Sequence, residues 1–153
     1  MSRYTYTFKE KFERIIIDLS QSHLENSFLI ENSLGSDILA EFDEIQEEFN
    51  RYLTVLTGEE EMYKGGGNTS IIRAYENFTL FESLFPDGAE EVICAIETIE
   101  FMKILLDWAQ EVFKCDRKYE RISEEQLKEQ MLWLREAWTE INKYGENAEG
   151  IKY

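Results

Sequence analysis

The chain has 153 residues, 43% of them hydrophobic and 14% aromatic, enough to build one domain with a real core and without metals or disulfides. Thirty-two Asp and Glu stand against 16 Lys and Arg, a net charge of −16. That balance excludes a surface built to neutralise phosphates and disfavours an anionic membrane, so the expected partner is a basic protein, with no nucleic acid and no membrane. Two cysteines, Cys94 and Cys115, are too few for a disulfide framework and suit a reducing compartment. The N-terminal stretch lacks a signal peptide's apolar run, and no segment approaches the ~18 apolar residues of a membrane span. The expected location is cytoplasmic.

Taken in chain order, the pattern predicts helices. Thr7 with Glu10 has the form of a capping box, and Phe8, Phe12, Ile15, Ile16 and Leu19 then share one helical face. Residues 24–34 are ambiguous between strand, helical turn and packed loop. A second helix is expected from an N-cap at Ser36, with its stripe on Ile38, Phe42, Ile45, Phe49, Leu53 and Leu56 and its stop at Gly58. Residues 59–70 read as a flexible connector around the run Gly65-Gly66-Gly67. Residues 71–85 fit a helix on Ile71, Ala74, Phe78, Phe81 and Phe85, the alternative being a strand pair that turns near Glu76 and Asn77.

Beyond Pro86, a long and largely buried helix is expected from a cap at Asp87 to about Lys114. The last helix starts at the capping box of Ser123 and Gln126. It carries Leu127, Met131, Leu134, Trp138 and Ile141 inward, with Trp133 and Tyr144 widening the core contact, the alternative being that they anchor a partner, and it ends at Gly145 ahead of a frayed tail. The expectation is a single acidic domain over residues 1–153. It is mainly α, an irregular bundle of four to five helices, with a short β-hairpin around residues 68–82 as the variant.

Catalytic chemistry finds little to stand on. His23 is the only histidine and reads as a surface residue, so a nucleophile–base pair lacks its base. Cys115 lies beside Lys114, Arg117 and Lys118, which can activate a thiol, but it reads as a free thiol at a helix end, and Cys94 reads as core. Two ExxE pairs, Glu44 with Glu47 and Glu97 with Glu100, resemble the paired acidic motifs of the all-α nucleotide pyrophosphohydrolases of the MazG type, which hold magnesium. Here the pairs stand about fifty residues apart and the second ends in Glu rather than Asp. In the glycine run Lys64 precedes the glycines, the reverse of a phosphate-binding loop. No catalytic residue, metal site or cofactor is read, and the chain is expected not to be an enzyme.

The acids between residues 37 and 61 are the clearest functional signal. Asp37, Glu41, Asp43, Glu44, Glu47, Glu48, Glu59, Glu60 and Glu61 face one base, Arg51, for a local net of −8. Asp37, Glu41, Glu44 and Glu48 fall at i, i+4, i+7 and i+11, a ridge on one helix face whose like charges cost a few tenths of a kcal/mol per pair. A small, strongly acidic chain with this concentration resembles the bacterial toxin-immunity proteins of the contact-dependent growth inhibition kind. The resemblance implies a tight complex with a cognate toxin, commonly a nuclease, whose phosphate-binding surface is basic. The nine acids would then form the partner-binding surface. The alternatives are another acidic inhibitor, such as a DNA mimic, or a secretion chaperone, and more remotely the magnesium-dependent nucleotide hydrolase.

Overall fold

The computed structural model describes residues 2–85, 88 and 90–149, the last five of these by backbone alone. It corrects the expected helical bundle. The fold is α+β, 45% helical and 21% strand, with two antiparallel sheets and four helices.

The N-terminal helix does not form. Strands β1 (Thr7–Lys11) and β2 (Arg14–Asp18) make a hairpin in the register Phe8↔Ile17 and Glu10↔Ile15. The residues that satisfied a helical period also satisfy a strand period, with Phe8, Ile15 and Ile17 on the covered face. The turn is Phe12-Glu13, both at positive φ (52° and 61°), where hairpins ordinarily place Asn-Gly. Without glycine or asparagine there, the turn is hidden in the sequence.

Helix α1 (Phe28–Ser33) is short. Helix α2 (Phe42–Leu56) begins five residues later than the Ser36 cap would place it, with Glu41 as its N-cap residue. It buries Ile45, Phe49, Tyr52 and Val55, and Gly58 follows its end at φ 84°, the left-handed stop expected there.

The next four strands form a meander in the order β3-β4-β5-β6. They are β3 (Tyr63–Gly66), β4 (Ser70–Ala74), β5 (Thr79–Ser83) and β6 (Ile93–Ile96). The expected flexible connector is therefore half strand. Gly66 sits at φ 82°, and a Cβ on it would lie 2.2 Å from the Ser70 carbonyl oxygen, so only glycine fits this turn. Residues 71–85 adopt the strand pair instead of the favoured helix. Ala74 pairs with Thr79, and the Tyr75 N–H donates to the Phe78 carbonyl across the turn at Glu76 and Asn77. Ile72, Ala74, Thr79, Phe81, Cys94 and Ile96 alternate into the core.

The helix expected from Asp87 is split. Residues 93–96 pair as β6, and α3 (Thr98–Lys118) begins only after them, while Asp87 itself lies outside the described residues. Helix α3 is the central element, with 13 of its 21 residues buried. One side meets α2 and the sheet through Tyr52–Phe101 and Phe81–Phe101 edge-to-face contacts, with ring centroids 5.3 and 5.0 Å apart. The β1–β2 hairpin lies against another side. Helix α4 (Glu124–Glu149) runs past the expected stop at Gly145, and the end of the tail, residues 150–153, lies outside the described residues. Its capping box is formed as expected: the Ser123 N–H donates to Gln126 Oε1 at 2.8 Å and the Gln126 N–H to Ser123 Oγ at 3.1 Å. Trp133 packs edge-on against Phe42, Phe49 and Phe113, and Tyr144 packs on the core. Among the described residues no helix is long and apolar enough to cross a membrane.

Candidate functional site

The later start of α2 dismantles the ridge drawn through Asp37, Glu41, Glu44 and Glu48. Asp37 lies in the loop before the helix and faces the β3–β4 turn. Its Oδ1 accepts the N–H groups of Asn68 (2.7 Å) and Thr69 (3.0 Å), and its Oδ2 accepts the Thr69 hydroxyl. This carboxylate closes a structural junction.

Glu48 is also withdrawn. The Tyr63 hydroxyl donates to Glu48 Oε1 at 2.6 Å, while the fully buried Tyr52 hydroxyl lies next to the same carboxylate. Burial raises the Glu48 carboxyl above its ordinary value, against the lowering effect of the hydrogen bond from Tyr63. Burial and the neighbouring Glu48 push the Tyr63 phenol up to about 12. No feature of the sequence marked Tyr63 as the partner of Glu48, because the pairing depends on a strand where a flexible loop was expected.

The other seven acids are exposed: Glu41, Asp43, Glu44 and Glu47 on the first half of α2, and Glu59, Glu60 and Glu61 in the turn leading to β3. Among the described residues only Glu47 of these seven has an ion-pair partner, Arg51 one turn on. Arg51 also stands over the Tyr63 ring, 5.2 Å from its centroid. The two groups sit at opposite ends of a 15-residue helix, roughly 20 Å apart at 1.5 Å per residue. The structure thus holds two acidic clusters along one element. The upper one has Leu39 exposed beside it. Acids in the first turn of a helix also complement its dipole, so Asp43 and Glu44 serve α2 as well as its surroundings.

The second ExxE pair has a different role. Glu97 and Glu100 are 9% and 6% exposed and face the N-terminal segment. Tyr4 donates its hydroxyl to Glu97, and the Arg3 guanidinium lies 2.6 Å from the same carboxylate. Glu100 accepts the Arg3 N–H and the Ser2 hydroxyl and pairs with Lys103 at 3.0 Å. The same helix receives the Tyr6 hydroxyl on Asp107. Burial and Glu97 push the Tyr4 phenol up to about 12. The two ExxE pairs do not converge: among the described residues no three His, Cys, Asp or Glu side chains are grouped as a metal would require.

His23 is exposed. Both cysteines are free and buried, and burial pushes the Cys94 thiol up to about 12, away from reactivity. Cys115 donates to the Glu13 carbonyl at 3.4 Å and receives Arg121 at the same distance, so it ties the hairpin turn to the α3–α4 corner. A shallow open groove lies between Tyr4, Asn77, Phe78, Ala95, Ile96 and Glu97. No protein-family profile matches this chain, and no curated protein or solved structure matches it either.

Proposed function

We propose that the chain is a binding protein that neutralises a basic protein partner through the outer face of α2 and the turn that follows it. In its most specific form the reading is a bacterial immunity protein acting on a cognate toxin, a nuclease being the natural target. On this reading the chain works by stoichiometric binding in the cytoplasm, without catalysis and without a cofactor.

One observation carries it: seven exposed carboxylates on and after α2, six of them without an ion-pair partner among the described residues. A fold optimised for stability alone gains by interspersing lysines among such acids. Six unneutralised charges instead produce a field that accelerates encounter with a basic surface and is screened by salt. Glu44 and Glu47 lie on α2 and Glu41 immediately precedes it, so little ordering is required when a partner's lysines and arginines arrive.

The test is capture of the partner from the native host by tagged chain, followed by binding kinetics on the purified pair. The expected partner is basic. Its association should slow by at least ~10-fold for Glu41→Lys/Glu44→Lys/Glu47→Lys and lose most of its salt dependence. Co-expression of the wild-type chain should relieve any toxicity the partner has in cells. Association unchanged by the triple reversal would remove this surface from the reading. A captured partner without toxicity would retain the binding surface and end the immunity assignment.

A further inference from the structure

The hairpin turn is unusual in three independent ways. Among the described residues Phe12 is the most exposed large apolar one, at 86%. Phe12 and Glu13 occupy the left-handed region in succession, a conformation strained for any residue with a Cβ. The turn is nonetheless fastened: Cys115 and Arg121 both donate to the Glu13 carbonyl, and Lys118 pairs with Glu10 at 2.9 Å. Strain held in place by surrounding bonds, with an aromatic ring presented to solvent, is the signature of a contact element. Its charge also opposes the rest of the molecule. Lys11 and Arg14 are exposed on either side of Phe12 and among the described residues neither has a carboxylate partner, while the turn's own Glu10 and Glu13 are matched by Lys118 and Arg121 from α3 and the corner after it.

The topology puts this basic turn level with the acidic start of α2. Phe42, the first residue of α2, packs on Phe113 with ring centroids 5.6 Å apart, while the hairpin turn is bonded to Cys115. Two residues along a helix are about 3 Å of rise and about 200° of rotation. The start of α2 and the hairpin turn therefore lie at one height on opposite sides of α3, on the order of 20 Å apart at ordinary packing distances. One end of the molecule carries Lys11, Phe12 and Arg14 on one side and Leu39, Glu41 and Glu44 on the other.

A patch that is basic at one edge and acidic at the other is self-complementary under a two-fold rotation, since each edge meets its opposite on the second copy. We propose that two copies of this chain associate through this end, the hairpin turn of each lying against the start of α2 of the other. Phe12 and Leu39 supply the desolvated contacts between the two charged edges. At physiological ionic strength charges further apart than ~8 Å are largely screened, so the contacting edges outweigh the net −16 of each chain. The inference uses acids that also carry the functional reading, but it needs no other protein, so the purified chain alone decides it.

The experiment is sedimentation velocity over a concentration series at physiological salt, with two charge-reversed variants. The wild-type chain should reach a dimer. Lys11→Glu/Arg14→Glu makes both edges acidic, and Glu41→Lys/Glu44→Lys makes both basic. Each variant alone should dissociate at least ~10-fold more readily. An equimolar mixture should restore the dimer, because acidic edges then face basic ones at both contacts. Net repulsion cannot imitate this pattern. The reversals bring the chains to −20 and −12, yet the −12 variant is expected to be the monomer despite repelling itself less than the wild type. Phe12→Ser should weaken the dimer without altering its salt dependence, and circular dichroism on each variant reports that the fold is intact. A wild-type chain that stays monomeric throughout, or folded variants that dimerise as well as the wild type, would overturn the proposal. Either result leaves the partner reading standing.

Discussion

The two ExxE pairs have the same spacing and opposite fates. Glu97 and Glu100 sit where β6 gives way to α3, buried and supplied with donors by Ser2, Arg3, Tyr4 and Lys103. Glu44 and Glu47 sit on the outer side of α2, exposed, with Arg51 as their one counter-ion among the described residues. A carboxylate whose oxygens are all occupied is a structural part, and its removal should be felt in stability. A carboxylate left to water costs the fold little to lose, and its removal should be felt only by whatever binds it. Spacing alone distinguishes neither case; burial and donors do.

The sharpest way to break this comparison is Glu100→Ala. It leaves the Lys103 ammonium and the Arg3 N–H without their acceptor in a site only 6% exposed. Truncating one member of a buried ion pair costs ~3 kcal/mol or more. Urea titration should show that loss, and Glu100→Gln should recover part of it by keeping an acceptor for the Arg3 N–H. A loss below ~1 kcal/mol would mean that the N-terminal segment is not held by this residue.

Asp37 tests the boundary between the two classes, because it was grouped with the docking acids and lies with the structural ones. Asp37→Ala removes three hydrogen bonds at the β3–β4 turn. The expected cost is ~1 kcal/mol, since water can replace the acceptor at the exposed Asn68 N–H and less readily at the partly buried Thr69. Asp37→Asn keeps one acceptor and should fall between. Partner binding should follow stability here and show no separate change in salt dependence.

How much of this was legible in the sequence differs by element, for physical reasons. The last helix was legible because Ser123 and Gln126 cap it reciprocally and its apolar residues admit only a helical period. The first hairpin was not. Thr7 and Glu10 show the same capping pattern by coincidence, and the apolar residues from Phe8 to Leu19 satisfy both periods. The turn that would have decided between them is Phe12-Glu13, strained rather than glycine-marked. Glycine does mark the β3–β4 turn, but a glycine run suits a flexible linker and a tight reversal equally, and only the φ values of Gly66 and Gly67 separate them. The acid concentration after residue 37 was legible as composition. Its division into exposed and engaged members was not, because Glu48 is engaged by Tyr63 and Asp37 by Asn68 and Thr69, all from strands or turns that local pattern did not reveal.

Glu48 refines the contrast further, since it is partly buried beside the Tyr63 and Tyr52 hydroxyls. Burial holds its folded pKa above the ordinary 4.5, so the folded state binds the proton more tightly than the unfolded chain. The stability it withholds is absent below about 4.5 and grows as pH rises through the higher folded value. Glu48→Gln removes the charge while keeping an acceptor for the Tyr63 hydroxyl. At pH 7 it should raise Tm, because the cost of burying the charge is removed. Near pH 4 the variant and the wild type should melt together. A variant less stable than the wild type at both pH values would show that the ionised carboxylate is a net support.

The smallest expected effect on the fold belongs to the exposed acids, and it carries the most functional weight. Glu41→Gln/Glu44→Gln/Glu47→Gln loses the Arg51 pair and part of the favourable charge at the start of α2. It also relieves repulsion between acids three residues apart, a few tenths of a kcal/mol in the other direction. The two nearly cancel, so thermal melting should move stability by no more than about 0.5 kcal/mol. Against that flat baseline, association with a basic partner should slow and become less sensitive to salt, because the steering field has been reduced without altering the scaffold. A triple variant that melts far below the wild type would place these acids with Glu97 and Glu100 as parts of the structure. Their exposure would then record how the helix is anchored, and no partner would be needed to account for it.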